Sequence, residues 1–311
     1  VTKMKKELAI LLATYNGEKY IHELLDSILL TSYIDSLNLY VRDDGSTDRT
    51  VEILKQYELK YNDSIRMFCG ENVGTAQGFN YLLKKSLDDG HVYFMFADQD
   101  DKWINKKIDQ VLECFKAGNN DKPRLVHSDL YVASEDLKII AESFWQYQHL
   151  NPQYVGINRL LIQNVVTGCT IGMNRKLAEL VYPIPKEAIM HDWWAALTAS
   201  ALGTIEAIHE PLVYYRQHNS NTIGAQKYSL SIKKIKEPFI ISKYTRQAEA
   251  FYARHFDQLD EKQRETFKAF ISLSSVSRLH AVQHILTHSF YKNGAIRNIG
   301  FLAKMLFQNR L

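Results

Sequence analysis

Val92-Tyr93-Phe94-Met95-Phe96-Ala97-Asp98-Gln99-Asp100-Asp101 is a run of six apolar or aromatic residues that ends in three carboxylates within four positions. The uninterrupted run reads as a strand buried on both faces, the kind found in parallel sheets. The carboxyl end of such a strand opens on the crevice where open α/β sheets bind ligands. Three like charges this close resist ionising together, and they are costly if buried unpaired. A hard divalent cation neutralises such a cluster, and magnesium usually takes one or two carboxylates plus substrate phosphates. The stretch therefore points to a site for a metal-bound nucleotide diphosphate. The competing reading is local: Asp100 or Asp101 caps a helix that starts near Trp103.

Three strands with comparable endings precede this one. Leu8-Ala9-Ile10-Leu11-Leu12 runs into the turn Ala13-Thr14-Tyr15-Asn16-Gly17, after which Ile21, Leu24, Leu25, Ile28 and Leu29 recur at helical spacing. Leu37-Asn38-Leu39-Tyr40-Val41 ends at Arg42-Asp43-Asp44-Gly45, where Ser46-Thr47-Asp48 signals a helix start for the face Val51, Ile53, Leu54 and Tyr57. Ile65-Arg66-Met67-Phe68 ends at Glu71-Asn72-Val73-Gly74, with a helix through Tyr81-Leu82-Leu83 beyond it. Strands alternating with helices predict parallel βαβ units, that is, an α/β fold with a Rossmann-like, doubly wound, mostly parallel sheet.

Past Lys122 the pattern is less regular. Strands are expected at Leu125–Asp129, Val165–Gly172, Thr204–Ile208 and Leu212–Arg216, with helices at Arg175–Val181 and from His191 to Leu202. Residues 219–227, polar and glycine-containing, read as a mobile loop. Helix follows to the end, a C-terminal helical appendage without repeats or low-complexity tracts.

Three first-half strand ends carry groups suited to a nucleotide. Thr14, Tyr15 and Asn16 supply a ring to stack on a base together with backbone donors. Asp43 or Asp44 can accept hydrogen bonds from a pyrimidine imide or from ribose hydroxyls. Asn72 adds an amide beside a tight turn. Each has a bland reading as an ordinary turn or cap; their convergence on one sheet edge carries the inference.

Taken in order, Thr14-Tyr15-Asn16-Gly17, Asp43-Asp44-Gly45-Ser46-Thr47-Asp48, Glu71-Asn72-Val73-Gly74 and Asp98-Gln99-Asp100-Asp101-Lys102-Trp103 resemble the motifs of family 2 glycosyltransferases over roughly residues 7–220. Four ordered motifs are more specific than any one. The resemblance implies a GT-A fold, an inverting mechanism and a sugar nucleotide held through a divalent cation, Mn2+ or Mg2+. It assigns Asp43 or Asp44 to the base, Asp98 to the ribose and Asp100 or Asp101 to the metal. The implied catalytic domain covers 1–225, with a nucleotide-sugar half to about 122 and an acceptor half after it; residues 226–311 form the basic helical region. Gly168, Cys169 and Thr170 resemble the segment that shapes the acceptor pocket. His191-Asp192-Trp193-Trp194 matches the place of the family's catalytic carboxylate, which makes Asp192 the expected base and His191, Trp193 and Trp194 its acceptor-side neighbours. An inverting transfer needs one base to take the acceptor hydroxyl proton. The bland role of Asp192 is the N-cap of its helix. His218 is a candidate third metal ligand or diphosphate donor, and Arg216 a second phosphate group. The spelling is closest to a bacterial subgroup that builds rhamnose-containing cell-wall polysaccharides from dTDP-rhamnose, with a UDP-sugar donor as the alternative and a saccharide, lipid-linked, as the acceptor.

Composition is consistent with a soluble globular chain: 46% hydrophobic and 23% charged among 311 residues. Cys69, Cys114 and Cys169 lie far apart, without zinc-like spacing, and fit a reducing compartment. No stretch is apolar enough for a signal peptide or a membrane span, so the expected location is cytoplasmic, peripheral on the inner face of the cell membrane. Residues 226–311 carry 15 Lys/Arg against 6 Asp/Glu, whereas the rest carries 23 against 29. A basic appendage on an acidic body suggests an anionic partner. The segment lacks a nucleic-acid motif, which favours an anionic membrane surface. Ile296, Ile299, Leu302 and Leu306 recur near helical spacing beside Arg297, Lys304 and Arg310, and Phe239, Ile240, Phe267, Phe270 and Ile271 behave similarly. Such helices either lie in a membrane interface or pack on the catalytic domain or a second copy of the chain.

Other classes fit less well. A dinucleotide oxidoreductase needs a glycine fingerprint after its first strand, which Ala13-Thr14-Tyr15-Asn16-Gly17 is not. A phosphatase-type Asp nucleophile belongs on the first strand, not after the fourth. The remaining rival is a non-catalytic glycan-binding or assembly protein on the same fold, against which intact Asp100 and Asp192 argue.

Overall fold

The computed structural model describes residues 6–218 and 239–307. The expected loop at 219–227, the start of the basic region at 226 and the charge of Arg310 lie outside the described residues.

Four βα repeats come first: β1 (Leu8–Thr14), α1 (Ile21–Leu29), β2 (Leu37–Asp43), α2 (Thr50–Lys60), β3 (Ile65–Cys69), α3 (Thr75–Asp88), β4 (Tyr93–Asp98), then β5 (Lys102–Trp103) and α4 (Lys107–Ala117). Next come β6 (Arg124–Ala133), β7 (Ile139–Ala141), α5 (Phe144–Tyr147), α6 (Ile157–Leu160), β8 (Gly172–Asn174), α7 (Arg175–Val181), α8 (His191–Leu202) and β9 (Thr204–Arg216). Four helices follow the undescribed stretch: α9 (Ile241–His255), α10 (Glu261–Ile271), α11 (Arg278–Thr287) and α12 (Ala295–Phe307).

The apolar strands behave as their composition dictates. Every residue of β2 is buried, as are Phe94 to Ala97 in the middle of β4, so helices must cover both faces of this part of the sheet. On α1 the five residues at helical spacing are all buried. The nine-stranded sheet runs in the order β3-β2-β1-β4-β8-β6-β9-β5, with β7 attached to β6. β1, β2, β3 and β4 pair in parallel. β8 runs against both β4 and β6, which leaves β6 and its parallel partner β9 pointing the same way as β4. The carboxyl ends of β1, β2, β4, β6 and β9 therefore open on one edge. This shared direction brings residues 14–17, 43–46, 98–101, 134–135 and 216–218 together.

Three local expectations need correction. Only Gly172–Asn174 of the region after Val165 is strand; Gly168–Thr170 is a single 3-10 turn, buried and closed on itself. The two short strands expected at 204–216 are one continuous strand, whose register against β6 shifts around Asp129. No helix begins near Trp103. That residue pairs with β9 through Val213, and α4 starts at Lys107 with Lys106 as its N-cap, so neither Asp100 nor Asp101 caps it.

The C-terminal helices share one continuous apolar cluster with α3, α7 and α8, through Phe251, Phe267, Phe270, Phe301 and Met305. The inner faces of the expected amphipathic helices thus pack as core. α12 divides differently from its sequence stripe. Phe301 and Met305 are buried and Leu302 partly so, but Ile296, Ile299 and Phe307 are 49%, 66% and 80% exposed. Among the described residues, no helix is long and apolar enough to cross a membrane.

Candidate active site

At the end of β1, Thr14 is buried and its hydroxyl donates to Asp43 Oδ2 at 2.9 Å. The Tyr15 ring is half exposed, while its backbone is clamped by Gln99: the Tyr15 amide donates to Gln99 Oε1 and Gln99 Nε2 donates to the Tyr15 carbonyl, both at 2.9 Å. A Cβ on Gly17 would sit 2.4 Å from Gln99 Oε1, which explains a glycine there. Asn16 turns its side chain to the neighbouring turn, accepting from the Thr47 amide at 2.8 Å.

Asp43 and Asp44 are buried and engaged. Asp43 accepts from the amides of Gly45 and Ser46 and from the hydroxyls of Ser46 and Thr14. Asp44 accepts from the amides of Val73 and Gly74 and pairs with Arg42. Their oxygens brace the two turns that follow β2 and β3. Asn72 is exposed and bridges to the Gly74 amide at 3.1 Å.

At the tip of β4 the carboxylates have separate tasks. Asp98 is half buried, and burial together with the charges of Asp100 and Asp192 pushes its pKa up to about 7. Asp100 faces His218, whose Nε2 lies 2.8 Å from Asp100 Oδ2. Asp101 points inward. It is fully buried, accepts from the Arg216 amide at 3.2 Å and from the Cys169 thiol, and burial holds its pKa well above the carboxylate range. Of the two expected metal ligands, only Asp100 is thus turned toward His218. Asp98, Asp101 and Cys169 bring one ligand atom each within 4.8 Å of one another. That trio is a poor cation site, because burial keeps Cys169 a neutral thiol and the ammonium of Lys107 already lies beside it. Asp100 and His218, 2.8 Å apart, offer a carboxylate and an imidazole, donors that suit a hard or borderline divalent cation better. The crowding that raises the pKa of Asp98 is what such a cation would relieve.

Arg216 departs from its expected place at the diphosphate. Its guanidinium is buried, donates to the carbonyls of Asp100 (2.8 Å) and Glu135, pairs with Glu23 at 3.2 Å and lies over the Tyr20 ring at 4.6 Å. It fastens the acidic turn to α1 and to the turn after β6. Tyr20 also stands 4.8 Å from the His218 ring and donates to Glu135 at 2.8 Å, while Lys19 pairs with the same carboxylate.

On the opposite side of the crevice, Asp192 occupies the first turn of α8, whose N-cap is Met190, so the capping role falls away. Its Oδ2 accepts from the Gly168 amide at 3.1 Å and its Oδ1 from the Trp193 amide at 2.5 Å. Burial outweighs these hydrogen bonds and pushes its pKa up to about 7. A carboxylate poised near neutrality is suited to general-base work.

The residues flanking Asp192 and Gly168 are mostly structural, which corrects their expected contact with an acceptor. His191 is buried and stacked on Phe79 at 3.9 Å, and burial pushes its pKa down to about 3, so its ring is neutral. Trp194 is fully buried, donates to the Val181 carbonyl at 3.1 Å and packs on Phe251. Cys169 and Thr170 are also fully buried. Gly168 leaves room for the histidine: a Cβ there would lie 3.0 Å from His191 Nε2. Trp193 is half buried, with its indole N–H on the Leu160 carbonyl and its ring against Tyr244.

Four contributors escaped the sequence reading: Gln99, Tyr20, Glu135 and Lys107. Gln99 carried a visible signal, sitting inside the acidic motif. Tyr20 and Glu135 lie 115 residues apart and meet only because β1 and β6 point the same way. Lys107 is fully buried, with Nζ 2.5 Å from the Cys169 carbonyl and 3.3 Å from the centre of the Trp103 ring, whereas a lysine in a first helical turn normally faces water.

Comparison with known proteins fits this geometry. Residues 9–179, more than half of the chain, match the family described as Glycosyl transferase family 2. The chain is 29% identical over 228 residues to the dTDP-rhamnosyl transferase RfbG of Shigella flexneri, covering 69% of this chain and 74% of that protein. In structure it resembles S. aureus TarS 1-349 in complex with UDP-GlcNAc, with a TM-score of 0.59 and 15% identity over 91% of this chain and 80% of that one. It also resembles the mannosyltransferase PcManGT from Pyrobaculum calidifontis in complex with GDP-Man and Mn2+, with a TM-score of 0.51 and 16% identity, covering 96% and 78% of the two chains.

Proposed function

The chain belongs to glycosyl transferase family 2 and has the GT-A fold; from that premise we propose that it transfers L-rhamnose from dTDP-rhamnose, with inversion, to a saccharide acceptor. The acceptor is a lipid-linked intermediate of a bacterial cell-wall or capsular polysaccharide. A hexose carried on UDP is the second choice of donor. The observation that carries the reading is the placement of Asp192 at the start of α8, where it accepts from the Gly168 amide of the turn that packs on β4, the strand that ends in the acidic turn. The rhamnose assignment is supported by the likeness to the rhamnosyl transferase of Shigella flexneri.

In this mechanism the Tyr15 ring and the turns shaped by Asp43 and Asp44 receive the nucleotide. Asp100 and His218 would hold Mn2+ or Mg2+, which when bound offsets the charge of the diphosphate, and Asp98 would face the ribose. Asp192 takes the proton of the acceptor hydroxyl. The freed oxygen bonds to the anomeric carbon from the face opposite the diphosphate, and the bond to the phosphate oxygen breaks with its electron pair leaving on the nucleotide. The buried carboxylate holds the proton after transfer.

The reading is tested by thermal shift and product release with dTDP-rhamnose, UDP-glucose and UDP-GlcNAc, each with and without Mn2+. At 100 times its Kd a ligand stabilises the fold by about 2.7 kcal/mol, so the true donor should raise Tm by several degrees. dTDP-rhamnose with Mn2+ is expected to give the largest rise and to release dTDP. A larger rise with a UDP-sugar would reassign the donor. A glycan that shifts Tm, with no nucleotide released from any sugar nucleotide, would favour the non-catalytic rival.

The exposed apolar face of α12, together with the basic charge of the region, supports a partner as well: an anionic membrane surface that brings the enzyme to its acceptor. Co-sedimentation with vesicles containing phosphatidylglycerol should be strong at low salt and weaken above the ionic strength that screens such attraction. It should also fall several-fold in Ile299→Glu. Salt-independent self-association without vesicle binding would assign that face to a second copy of the chain.

A further inference from the structure

We propose that Lys107 is a positioning residue, the tether through which the start of α4 fixes the turn that holds the base. This rests on the reading of Asp192 as that base. A fully buried ammonium is costly, and its place in the first turn of α4, at the positive end of a helix dipole, adds to the cost. Two contacts offset it in part: Nζ donates to the Cys169 carbonyl at 2.5 Å and lies over the Trp103 ring, while burial still pulls its pKa down to about 7. The Cys169 carbonyl and the Gly168 amide belong to one closed turn. Thr170 bonds to the Thr167 carbonyl through its amide (3.0 Å) and its hydroxyl (2.7 Å), and the Ile171 amide donates to the Gly168 carbonyl at 3.0 Å. A turn so braced moves as a unit, so the lysine on one side of it and Asp192 on the other are held at a fixed separation. The Cys169 thiol on Asp101 ties the same turn separately to the acidic end of β4. The base of α4 is itself anchored, since the Ile104 amide donates to the Leu212 carbonyl of β9 at 3.0 Å.

The experiment compares Lys107→Met, which keeps the packing on Trp103, with Lys107→Gln, which keeps a donor for the Cys169 carbonyl and stands in should methionine not fold. Hydrogen exchange of the peptide spanning 165–171 is read in the ligand-free protein, together with Kd for dTDP-rhamnose with Mn2+ and kcat for transfer. In Lys107→Met, exchange at 168–170 should rise at least about tenfold while distant peptides are unchanged. Kd should move by less than about threefold, and kcat should fall about 10- to 100-fold. Lys107→Gln should recover part of both losses. Unchanged exchange at 168–170, or a Kd that weakens in proportion to kcat, would overturn the proposal. Faster exchange in Lys107→Met alongside normal turnover in Asp192→Asn would leave the tether standing and remove the base assignment instead.

Discussion

Asp192→Asn is expected to lower turnover by two to four orders of magnitude, the usual cost of losing a general base, while Kd for the sugar nucleotide stays within about twofold. The amide keeps the shape of the carboxyl, and its one oxygen can still accept from either the Gly168 or the Trp193 amide, so the first turn of α8 should persist. It has no lone pair basic enough to take the acceptor proton. The pH profile gives an independent check. The base works ionised, and burial places its pKa at about 7, so wild-type kcat should rise with pH and level off above that value. An ordinary exposed aspartate would have levelled near pH 4. The residual rate of the variant should lack this limb. Weak donor binding with normal turnover at saturation would move the residue to the donor side.

The second large effect concerns the metal. Asp100→Asn should reduce transfer by about three orders of magnitude, the equivalent of several kcal/mol of lost charge stabilisation, with the fold intact and Mn2+ affinity by calorimetry reduced in parallel. Asp101→Asn is the informative control. Asp101 is buried against the Arg216 amide and the Cys169 thiol and is drawn toward its neutral form. Its amide should therefore keep Mn2+ affinity within a few-fold. Donor occupancy unchanged by EDTA, together with full activity in Asp100→Asn, would remove the metal from the mechanism.

The parallel half of the fold was legible because its signals are local. Each apolar strand and the helix after it are adjacent in sequence, and the buried face of α1 is the stripe that periodicity marks. Asp192 was legible through its neighbours, although those neighbours proved to serve the scaffold. His191 and Trp194 stand beside Asp192 in sequence but face the core, because successive residues of a helix point about 100° apart. The run Val165-Val166-Thr167 looked like strand through its β-branched residues, yet the segment has to turn to present the Gly168 amide, and tertiary demand overrode propensity. Arg216 looked like a phosphate ligand by chemistry alone. Glu23 and Glu135, the groups that claim its guanidinium, are distant in sequence, and no spacing rule reveals them.

The sheet order has a consequence for how the molecule comes into being. β3, β2, β1 and β4 pair within the stretch from residue 8 to residue 98, whereas β6 must wait for β9, which begins only at Thr204. Synthesis from the N-terminus therefore sets the order in which the two halves can pair. The cradle for the nucleotide is thus assembled early. The pairing that delivers Arg216 and His218 to Asp100 comes late, so the youngest form of this enzyme has a nucleotide cradle before it has a complete catalytic centre.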